Sequence, residues 1–458
     1  MSVWLWRTTE RRVGVVGLYN AGKTVFLTSL INHLEHHDAD RFRIGDSNEA
    51  VTIRKFHTVP VTPGWQPFNY IGSRDALVNG GRWPAKTRDR AEFACQFERS
   101  DWTFNDARLR FYDFPGERLA DAAMLGRDYA AWSDHWHHIA DNDTPQRLCS
   151  QPFLDLCLKG GATETELITS YRLALATTIS APNYKPFVSP STFLLDTQGQ
   201  LARGETPHEV MQNRYAGLEE HSQFCPLPST IRTANPTLTA LFAERYARYQ
   251  IEVVTPYIQA LKSCHSLIVI VDVLTLLSAG VGMCNDNRQI LRDLFDVLNP
   301  GEQFYQKVGR TLSEALLQHR PGWINRVAFV APKIDLVPPQ DRDRVLHLLK
   351  RFVGKIAADK DGLQYDFFPC SAICSTKVLV GSETERAMVG VPYRNSDGQK
   401  IPPGAEQRFT TSRVPDEWPH NWHAGEYVFP EVYPMVPALK AYPPQQIAVD
   451  RVLNFVME

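Results

Sequence analysis

The sequence predicts an α/β protein with a parallel central sheet, and the distribution of its apolar residues carries that prediction. A β-branched run at 13–16 leads into a glycine-containing loop, and apolar residues at helical spacing follow from Phe26 to Leu34. Further segments are predicted as strands at 107–113, 267–274, 326–335 and 367–372. Because segments with helical periodicity separate these runs, we expect parallel strands joined by helices.

The composition is that of an ordinary globular protein and excludes several classes. The chain has 458 residues, of which 43% are hydrophobic and 22% are charged, so it lies far from the disordered regime. Its 49 basic and 51 acidic residues give a formal net charge of −2, which provides no overall field to attract nucleic acid. We therefore expect no nucleic-acid partner.

Cysteine usage and hydropathy predict a cytoplasmic protein. The eight cysteines contain no CxxC pair and are typical of reduced, buried thiols. The most apolar run, 267–277, is shorter than a membrane-spanning helix, and the N-terminal stretch MSVWLWRTTERR lacks the apolar core of a signal peptide. Val3, Trp4 and Trp6 leave a peripheral membrane contact open, although a packed N-terminal strand or helix is the favoured interpretation.

The loop after the first strand has the Walker A pattern, Gly17-x-x-x-x-Gly22-Lys23-Thr24. In this pattern, backbone N–H groups at a helix N-terminus surround the phosphates of a nucleotide. We expect Lys23 to reach the β- and γ-phosphates and the Thr24 hydroxyl to bind Mg²⁺. The predicted nucleotide-binding residues of this loop are Gly17, Tyr19, Asn20, Ala21, Gly22, Lys23, Thr24 and Val25.

Three later segments, each at the end of a predicted strand, favour GTP over ATP. The segment Asp113-Phe114-Pro115-Gly116 combines a carboxylate that can hold Mg²⁺ through water with a glycine whose N–H can contact the γ-phosphate. Lys333 and Asp335 match a guanine pocket, in which the lysine stem packs on the purine and the carboxylate accepts from N1–H and N2–H₂. Ser371 and Ala372 follow as a backbone contact for guanine O6. An ATPase remains the alternative.

The whole arrangement resembles the YcjX-like family of bacterial stress-induced P-loop GTPases, which are related to the Ras-like class. The resemblance rests on GLYNAGKT at 17–24, RWPAKT at 82–87, YDFPGE at 112–117, PKID at 332–335 and CSA at 370–372. It implies a Ras-like GTPase core, a role in stress response, and a switch I threonine at Thr87 that binds Mg²⁺ in the triphosphate state. The catalytic residues expected on this basis are Lys23, Thr87, Gly116 and Glu117, and the expected Mg²⁺ ligands are Thr24, Thr87 and, through water, Asp113.

Three residues depart from the usual GTPase pattern. Pro332 replaces the polar residue beside the base, and Glu117 stands where many GTPases have a water-positioning glutamine. Since a carboxylate there also repels the γ-phosphate, we expect slow intrinsic hydrolysis. Asn20 stands where potassium-activated GTPases often carry an asparagine, but asparagine is also favoured in tight turns, so K⁺ as a cofactor stays an open alternative. An arginine in cis, with Arg82 or Arg88 preferred, is the competing accelerator.

The spacing of the motifs predicts a core that is divided along the chain. Residues 1–117 and 263–377 form the predicted GTPase core, and 286–320 and 340–357 supply its flanking helices. A helical insertion is predicted for 118–262, with helical periodicity at 119–129, 148–158, 164–178 and 238–261. The proline-rich residues 378–458 predict a small C-terminal α+β subdomain that closes with a helix at 445–455.

We therefore expect a Mg²⁺-dependent switch that binds GTP and GDP, hydrolyses GTP and acts on an unknown protein effector. Loss of the γ-phosphate at Gly116 would reposition the helical insertion that starts directly afterwards. A second hypothesis is a nucleotide-gated binding module with negligible turnover that docks a partner or the inner membrane face. The histidine-rich segment at 134–138 is interpreted as surface or interface rather than as a metal site.

Overall fold

A computed structural model gives the structure of the chain. It describes residues 7–17, 21–45, 51–85, 90–101, 105–142, 144–180, 189–194, 206–213, 219–298, 324–358, 362–378, 387–395, 399–437 and 442–458. The described strands are β1 Arg7–Gly17, β2 Ile53–Thr58, β3 Gln66–Pro67, β4 Ala91–Arg99, β5 Asn105–Asp113, β6 Ser266–Ile270, β7 Arg326–Ala331, β8 Gln364–Pro369, β9 Lys377–Val378, β10 Ala387–Gly390 and β11 Gln407–Thr410. The described α-helices are α1 Lys23–Glu35, α2 Tyr70–Val78, α3 Tyr129–Asn142, α4 Thr144–Lys159, α5 Glu164–Ser180, α6 Pro207–Asn213, α7 Ser229–Ala234, α8 Pro236–Tyr249, α9 Thr255–Lys262, α10 Val273–Ala279, α11 Val281–Leu298, α12 Pro339–Ala358 and α13 Val449–Met457.

The main sheet has the strand order β2-β4-β5-β1-β6-β7-β8, with β3 paired to β4. The strands β5, β1, β6, β7 and β8 are parallel to one another, whereas β4 runs antiparallel to β5 and β2 runs antiparallel to β4. Strands β2, β4 and β5 lie on one side of β1, and strands β6, β7 and β8 lie on the other. The direction in which successive strands are added to the sheet therefore reverses at β1. Open α/β sheets bind ligands at such a point, beyond the carboxyl ends of the strands.

The core of the main sheet is built by buried aliphatic and aromatic side chains. Val13 and Val15 of β1 pack in one cluster with Leu27 and Leu30 of α1. The last helix, α13, inserts its apolar face into the same cluster, with Val449, Val452, Leu453 and Val456 buried. The chain therefore ends against the central strands, in the same hydrophobic core as the helix that follows the first loop.

The chain divides into two compact units. The first contains Met1–Gly116, Ser263–Val281 and Gly322–Glu458, and it holds the main sheet and the small sheet β11-β10-β9. The second contains Glu117–Lys262 and Gly282–Pro321, and the part of it that the structure describes is helical. In this second unit the ring of Trp132 lies 5.2 Å from that of Tyr246 and 5.5 Å from that of Phe224, which forms an aromatic core.

The structure confirms the α/β class with a mostly parallel sheet and corrects some element boundaries. The strand predicted over 267–274 is wrong beyond Ile270, because the side chain of Asp272 accepts from the N–H of Thr275 and starts α10. The helix predicted over 119–129 is a 3₁₀ segment, Gly116–Gly126. Of the flanking helix predicted over 286–320, α11 covers the part to Leu298, and 299–320 lie outside the described residues. Among the residues that the structure describes, no helix is long and apolar enough to cross a membrane.

Candidate nucleotide-binding site

The predicted site segments come together because they all follow the carboxyl ends of neighbouring parallel strands. Gly17 at the end of β1 lies beside Ile270 of β6, and Val15 of β1 pairs with Asp113 at the end of β5. On the other side, β7 leads into Lys333 and β8 leads into Ser371. Segments that are more than 350 residues apart along the chain thus reach one edge of the sheet.

The phosphate loop has the backbone and side-chain features that anion binding requires. Gly22 adopts a φ of 86°, in the left-handed region that favours glycine, and α1 begins at the next residue. At Gly17, an added Cβ would lie 3.0 Å from the carbonyl oxygen of Ile270, so a side chain there would require the neighbouring backbone to shift. Lys23 Nζ donates to the carbonyl of Gly17 over 2.9 Å, which holds the ammonium group back over the loop. Helix N-termini direct N–H groups outwards, and Lys23, Thr24 and Val25 form this first turn.

Thr24 and Asp113 fit a Mg²⁺ site by the chemistry of their donor atoms. Thr24 is half-buried in the first turn of α1, and Asp113 is buried at the end of the strand next to β1. A hydroxyl and a carboxylate are oxygen donors of the kind that Mg²⁺ prefers, and a carboxylate can act through a metal-bound water. The end of β5 is fixed further by the N–H of Phe114, which donates to the carbonyl of Val15 over 3.2 Å.

The carboxylate of Asp335 is the most extensively bonded group among the predicted base-pocket residues. It is 3% exposed and lies in the 3₁₀ segment Ile334–Leu336 after β7. Ser371 Oγ donates to Oδ1 over 2.5 Å, and both the N–H and the Oγ of Ser375 donate to Oδ2 over 2.7 Å. The Oγ1 of Thr376 donates to the backbone carbonyl of Asp335 over 2.5 Å. The two loops that follow β7 and β8 are therefore joined through one acidic side chain.

Lys333 forms an ion pair with Asp272, which lies just after strand β6. Its Nζ lies 2.5 Å from Oδ2 of Asp272, which also caps α10. Lys333 has a φ of 63°, an uncommon conformation for a residue with a side chain, and such outliers occur often at binding sites. The ion pair and the backbone conformation together fix the direction in which the lysine stem leaves the loop.

The loop of Ser371 and Ala372 is braced by α1 and by the C-terminal segment. Ser29 Oγ of α1 donates to the carbonyl of Ala372 over 2.5 Å. Ser371 and Ile447 exchange two backbone hydrogen bonds of 3.0 and 2.8 Å. The residues before α13 therefore pair with this loop as a short antiparallel bridge.

Two cysteines flank the same loop, and burial keeps both thiols neutral. Burial raises the pKa of Cys370 well above its usual value, and it raises the pKa of Cys374 to about 12. A thiolate at either position would repel the carboxylate of Asp335. The two thiols therefore stay protonated at neutral pH and place no charge beside Asp335.

Some predicted residues lie outside the described part of the chain or are described only in part. Tyr19, Asn20, Thr87 and Arg88 are outside it, so the potassium and switch I predictions fall there, as do Val3, Trp4 and Trp6. Gly116 is buried at the start of the 3₁₀ segment, and the side chain of Glu117 is not described. Ahead of the predicted switch I residue Thr87, the indole N–H of Trp83 donates to the carbonyl of Val432 over 2.8 Å, and Arg82 is exposed.

Sequence reasoning missed three residues that organise the site. Asp272 was read as part of a strand, and Ser29 and Ser375 carry no motif of their own. A polar residue directly after a buried apolar run was the available signal for Asp272, since such residues often cap helices.

In the histidine-rich segment at 134–138, Asp134 forms an ion pair of 2.7 Å with Arg232, and His137 bonds the carbonyl of Pro226 over 3.1 Å.

These features define a class. A Walker A loop after the central strand of a parallel sheet, with the remaining motif segments on the same sheet edge, is the fold of a P-loop NTPase with a Ras-like GTPase core. The model of the YcjX-like family, DUF463, matches residues 11–458, so the chain belongs to that family.

Two curated relatives are similar over most of their length. The chain is 26% identical over 450 residues to the "Ras-like GTPase YcjX" of Shewanella oneidensis, and this match covers 90% of the chain and 87% of the relative. It is 24% identical over 481 residues to the "Ras-like GTPase YcjX" of Escherichia coli, with 97% and 95% covered.

Proposed function

We propose that this protein binds GTP and GDP with Mg²⁺ and hydrolyses GTP as a molecular switch. The observation that carries the proposal is the convergence of the phosphate loop, Asp113, Asp335 and Ser371 on one sheet edge. The names of both relatives support the same activity class.

The residues have separate roles in the proposed reaction. Lys23 and the first turn of α1 stabilise phosphate charge, and Thr24 and Thr87, with Asp113 through water, would hold the metal ion. When bound, Mg²⁺ neutralises charge on the β- and γ-phosphate oxygens. Catalysis then rests on positioning a water in line with the γ-phosphate. We propose slow intrinsic turnover because the carboxylate of Glu117, directly after Gly116, repels that phosphate.

The proposed base specificity rests on Asp335 and its surroundings. Both oxygens of a carboxylate accept hydrogen bonds, which suits the N1–H and N2–H₂ donors of guanine and rejects adenine, whose N1 is an acceptor. The backbone of Ala372 would contact O6, and the stem of Lys333 would cover the ring. The brace from Ser29 and Ile447 keeps this loop in place before a base binds.

We further propose that Gly116 couples the nucleotide state to the helical unit. Gly116 is the last residue of the first unit, and the 3₁₀ segment that begins there is anchored inside the second. Asp121 in this segment accepts from Ser191 and Tyr249, and the hydroxyl of Tyr246 donates to the carbonyl of Met124 over 3.0 Å. A change at Gly116 on loss of the γ-phosphate therefore acts directly on residues that belong to the helical core.

The cellular setting is proposed from the sequence and the family resemblance. We place the protein in the cytoplasm and in the stress response of a bacterium, with an unidentified protein effector. The support for a reducing compartment is that the eight cysteines include no CxxC pair and that seven of them are buried.

Multiple-turnover phosphate release tests the proposed activity. Purified protein is mixed with GTP or ATP, with Mg²⁺ or with EDTA, and in Na⁺ or K⁺ buffer. We expect phosphate to be released from GTP and not from ATP, and only when Mg²⁺ is present. Lys23→Ala should abolish it, whereas Lys377→Ala, which removes an exposed lysine paired with Glu406, should not. Equal rates with ATP would contradict the guanine assignment. Equal rates in Na⁺ and K⁺ would remove the potassium hypothesis, and binding without turnover would favour the binding module.

A further inference from the structure

The acceptor capacity of the Asp335 carboxylate is almost filled by the protein itself. An ionised carboxylate offers about four lone-pair sites, two on each oxygen. Oδ2 accepts two hydrogen bonds, both from Ser375, and Oδ1 accepts one from Ser371. Because Asp335 is 3% exposed, water has little access to its oxygens. One acceptor site, on Oδ1, is thus left for a ligand.

Guanine brings two donors to this carboxylate, and each oxygen would have to accept one of them. Oδ1 can accept the first with Ser371 still in place. Oδ2 can accept the second only if one of the two bonds from Ser375 is given up. The Ser375 N–H is fixed by the backbone, whereas its hydroxyl turns about a single bond.

We propose that the Ser375 hydroxyl is a placeholder for the guanine amino group. It donates to Oδ2 of Asp335 while the pocket is empty, and it rotates away when guanine donates to the same oxygen. The Ser375 N–H donates to Oδ2 in both states. This inference rests on the proposed function and makes Ser375 a residue that sets the preference among purine bases.

Hypoxanthine separates the placeholder from a merely structural role. It carries the N1–H donor of guanine but lacks the amino group, so its single donor matches the single free site on Oδ1. Binding of IDP therefore requires no displacement of Ser375, whereas binding of GDP does. The ratio of the IDP and GDP dissociation constants reports on this one difference, since the sugar and phosphates are the same.

The experiment measures GDP and IDP binding by titration calorimetry with the full-length protein and with Ser375→Ala, in Mg²⁺. We expect Ser375→Ala to bind GDP more tightly and to leave IDP binding close to that of the wild type. The ratio of dissociation constants should rise by about tenfold to 100-fold, the size of one hydrogen bond to a charged group. Ser375→Cys keeps the size of the side chain with a weaker donor, and its ratio should change in the same direction.

Thr376→Val is the matched control. It removes a neighbouring buried hydroxyl that donates to the backbone carbonyl of Asp335 and not to its carboxylate, so the ratio should stay at the wild-type value. An unchanged or lower ratio in Ser375→Ala and Ser375→Cys overturns the placeholder and leaves the proposed function standing. If the wild-type protein binds neither GDP nor IDP, the proposed function fails and this inference fails with it.

Discussion

The hydroxyl of Ser29 donates a 2.5 Å hydrogen bond to the carbonyl of Ala372. Ser29 is buried one and a half turns into α1, the helix whose first turn forms the phosphate loop, and Ala372 belongs to the predicted base loop. One hydrogen bond thus fixes the spacing between the two ends of the proposed nucleotide site. The rest of the loop is held by the C-terminal segment through Ile447.

Ser29→Ala should weaken GDP binding more than binding of tripolyphosphate. The base loop loses a brace, while the phosphate loop keeps its backbone and Lys23, so we expect about a threefold to tenfold loss for GDP and little change for tripolyphosphate. Titration calorimetry measures both. Thr28→Val is the control, because the Thr28 hydroxyl bonds within α1, to the carbonyl of Thr24. Equal losses for both ligands would show that Ser29 supports α1 rather than the base loop.

Tyr249→Phe should destabilise the helical unit. Its hydroxyl donates over 2.7 Å to Asp121, a buried carboxylate whose pKa is raised by that burial. Removing a donor from a buried acceptor should lower the free energy of unfolding by about 1–3 kcal/mol. Urea unfolding at neutral pH, followed by tryptophan fluorescence, measures this loss. Tyr365→Phe, at a partly exposed tyrosine, should have little effect, and a wild-type urea midpoint for Tyr249→Phe would exclude a stabilising role for the bond.

His33 should make the protein less stable in mild acid. Burial lowers the pKa of His33 to about 4, while its ring stacks on Phe42 and bonds the carbonyl of Pro444 over 3.2 Å. The unfolded chain binds a proton near pH 6.5 and the folded chain does not, so stability is full at neutral pH and falls as the pH drops from about 6.5 towards 4. Between about pH 6.5 and 5 we expect this one residue to account for a loss of about 1–2 kcal/mol.

Urea unfolding at pH 7 and pH 5 checks the contribution of His33. His33→Gln should reduce the difference between the two pH values, even though its stability at pH 7 is lower. His221→Gln, at an exposed histidine, should leave the difference as it is in the wild type. The same pH dependence in His33→Gln and in the wild type would contradict the assignment to His33.

The phosphate loop and the parallel sheet could be predicted from the sequence because their signals are local. Gly22 needs a positive φ, Lys23 and Thr24 follow at fixed spacing, and the residues between Val13 and Leu34 show both strand and helix periodicity. The same holds for α12, whose observed bounds agree closely with the predicted 340–357, whereas the strand predicted over 326–335 ends at Ala331 because a 3₁₀ segment, Ile334–Leu336, follows it.

The remaining features depend on partners that are distant along the chain. The bridge between Ser371 and Ile447 joins residues that no sequence window contains, so the docking of α13 on the central core was not visible. The same reason hid the bonds from Ser375 to Asp335. The strand β4, whose apolar residues are interrupted by Glu92 and Gln96, was missed because Glu92 is buried by pairing with Arg110.

The guanine assignment depends most on Asp335, and exchanging one of its oxygens for an amino group tests it. In Asp335→Asn the amide oxygen can take the place of Oδ1, where it accepts from Ser371 Oγ and keeps a site for N1–H of the base. The amide nitrogen then takes the place of Oδ2, where it can donate to the Ser375 hydroxyl in the empty pocket and to a carbonyl of the base in the complex. The site should therefore persist with an altered pattern of donors and acceptors.

Competition between GDP and XDP for Asp335→Asn and the wild type is the most direct measurement. Xanthine has a carbonyl where guanine has an amino group, so it matches the amide of the variant. We expect the wild type to prefer GDP and Asp335→Asn to prefer XDP, with its GDP affinity reduced by about 100-fold or more. If Asp335→Asn binds GDP as tightly as the wild type and gains no affinity for XDP, Asp335 does not read the base and the guanine pocket proposed here is wrong.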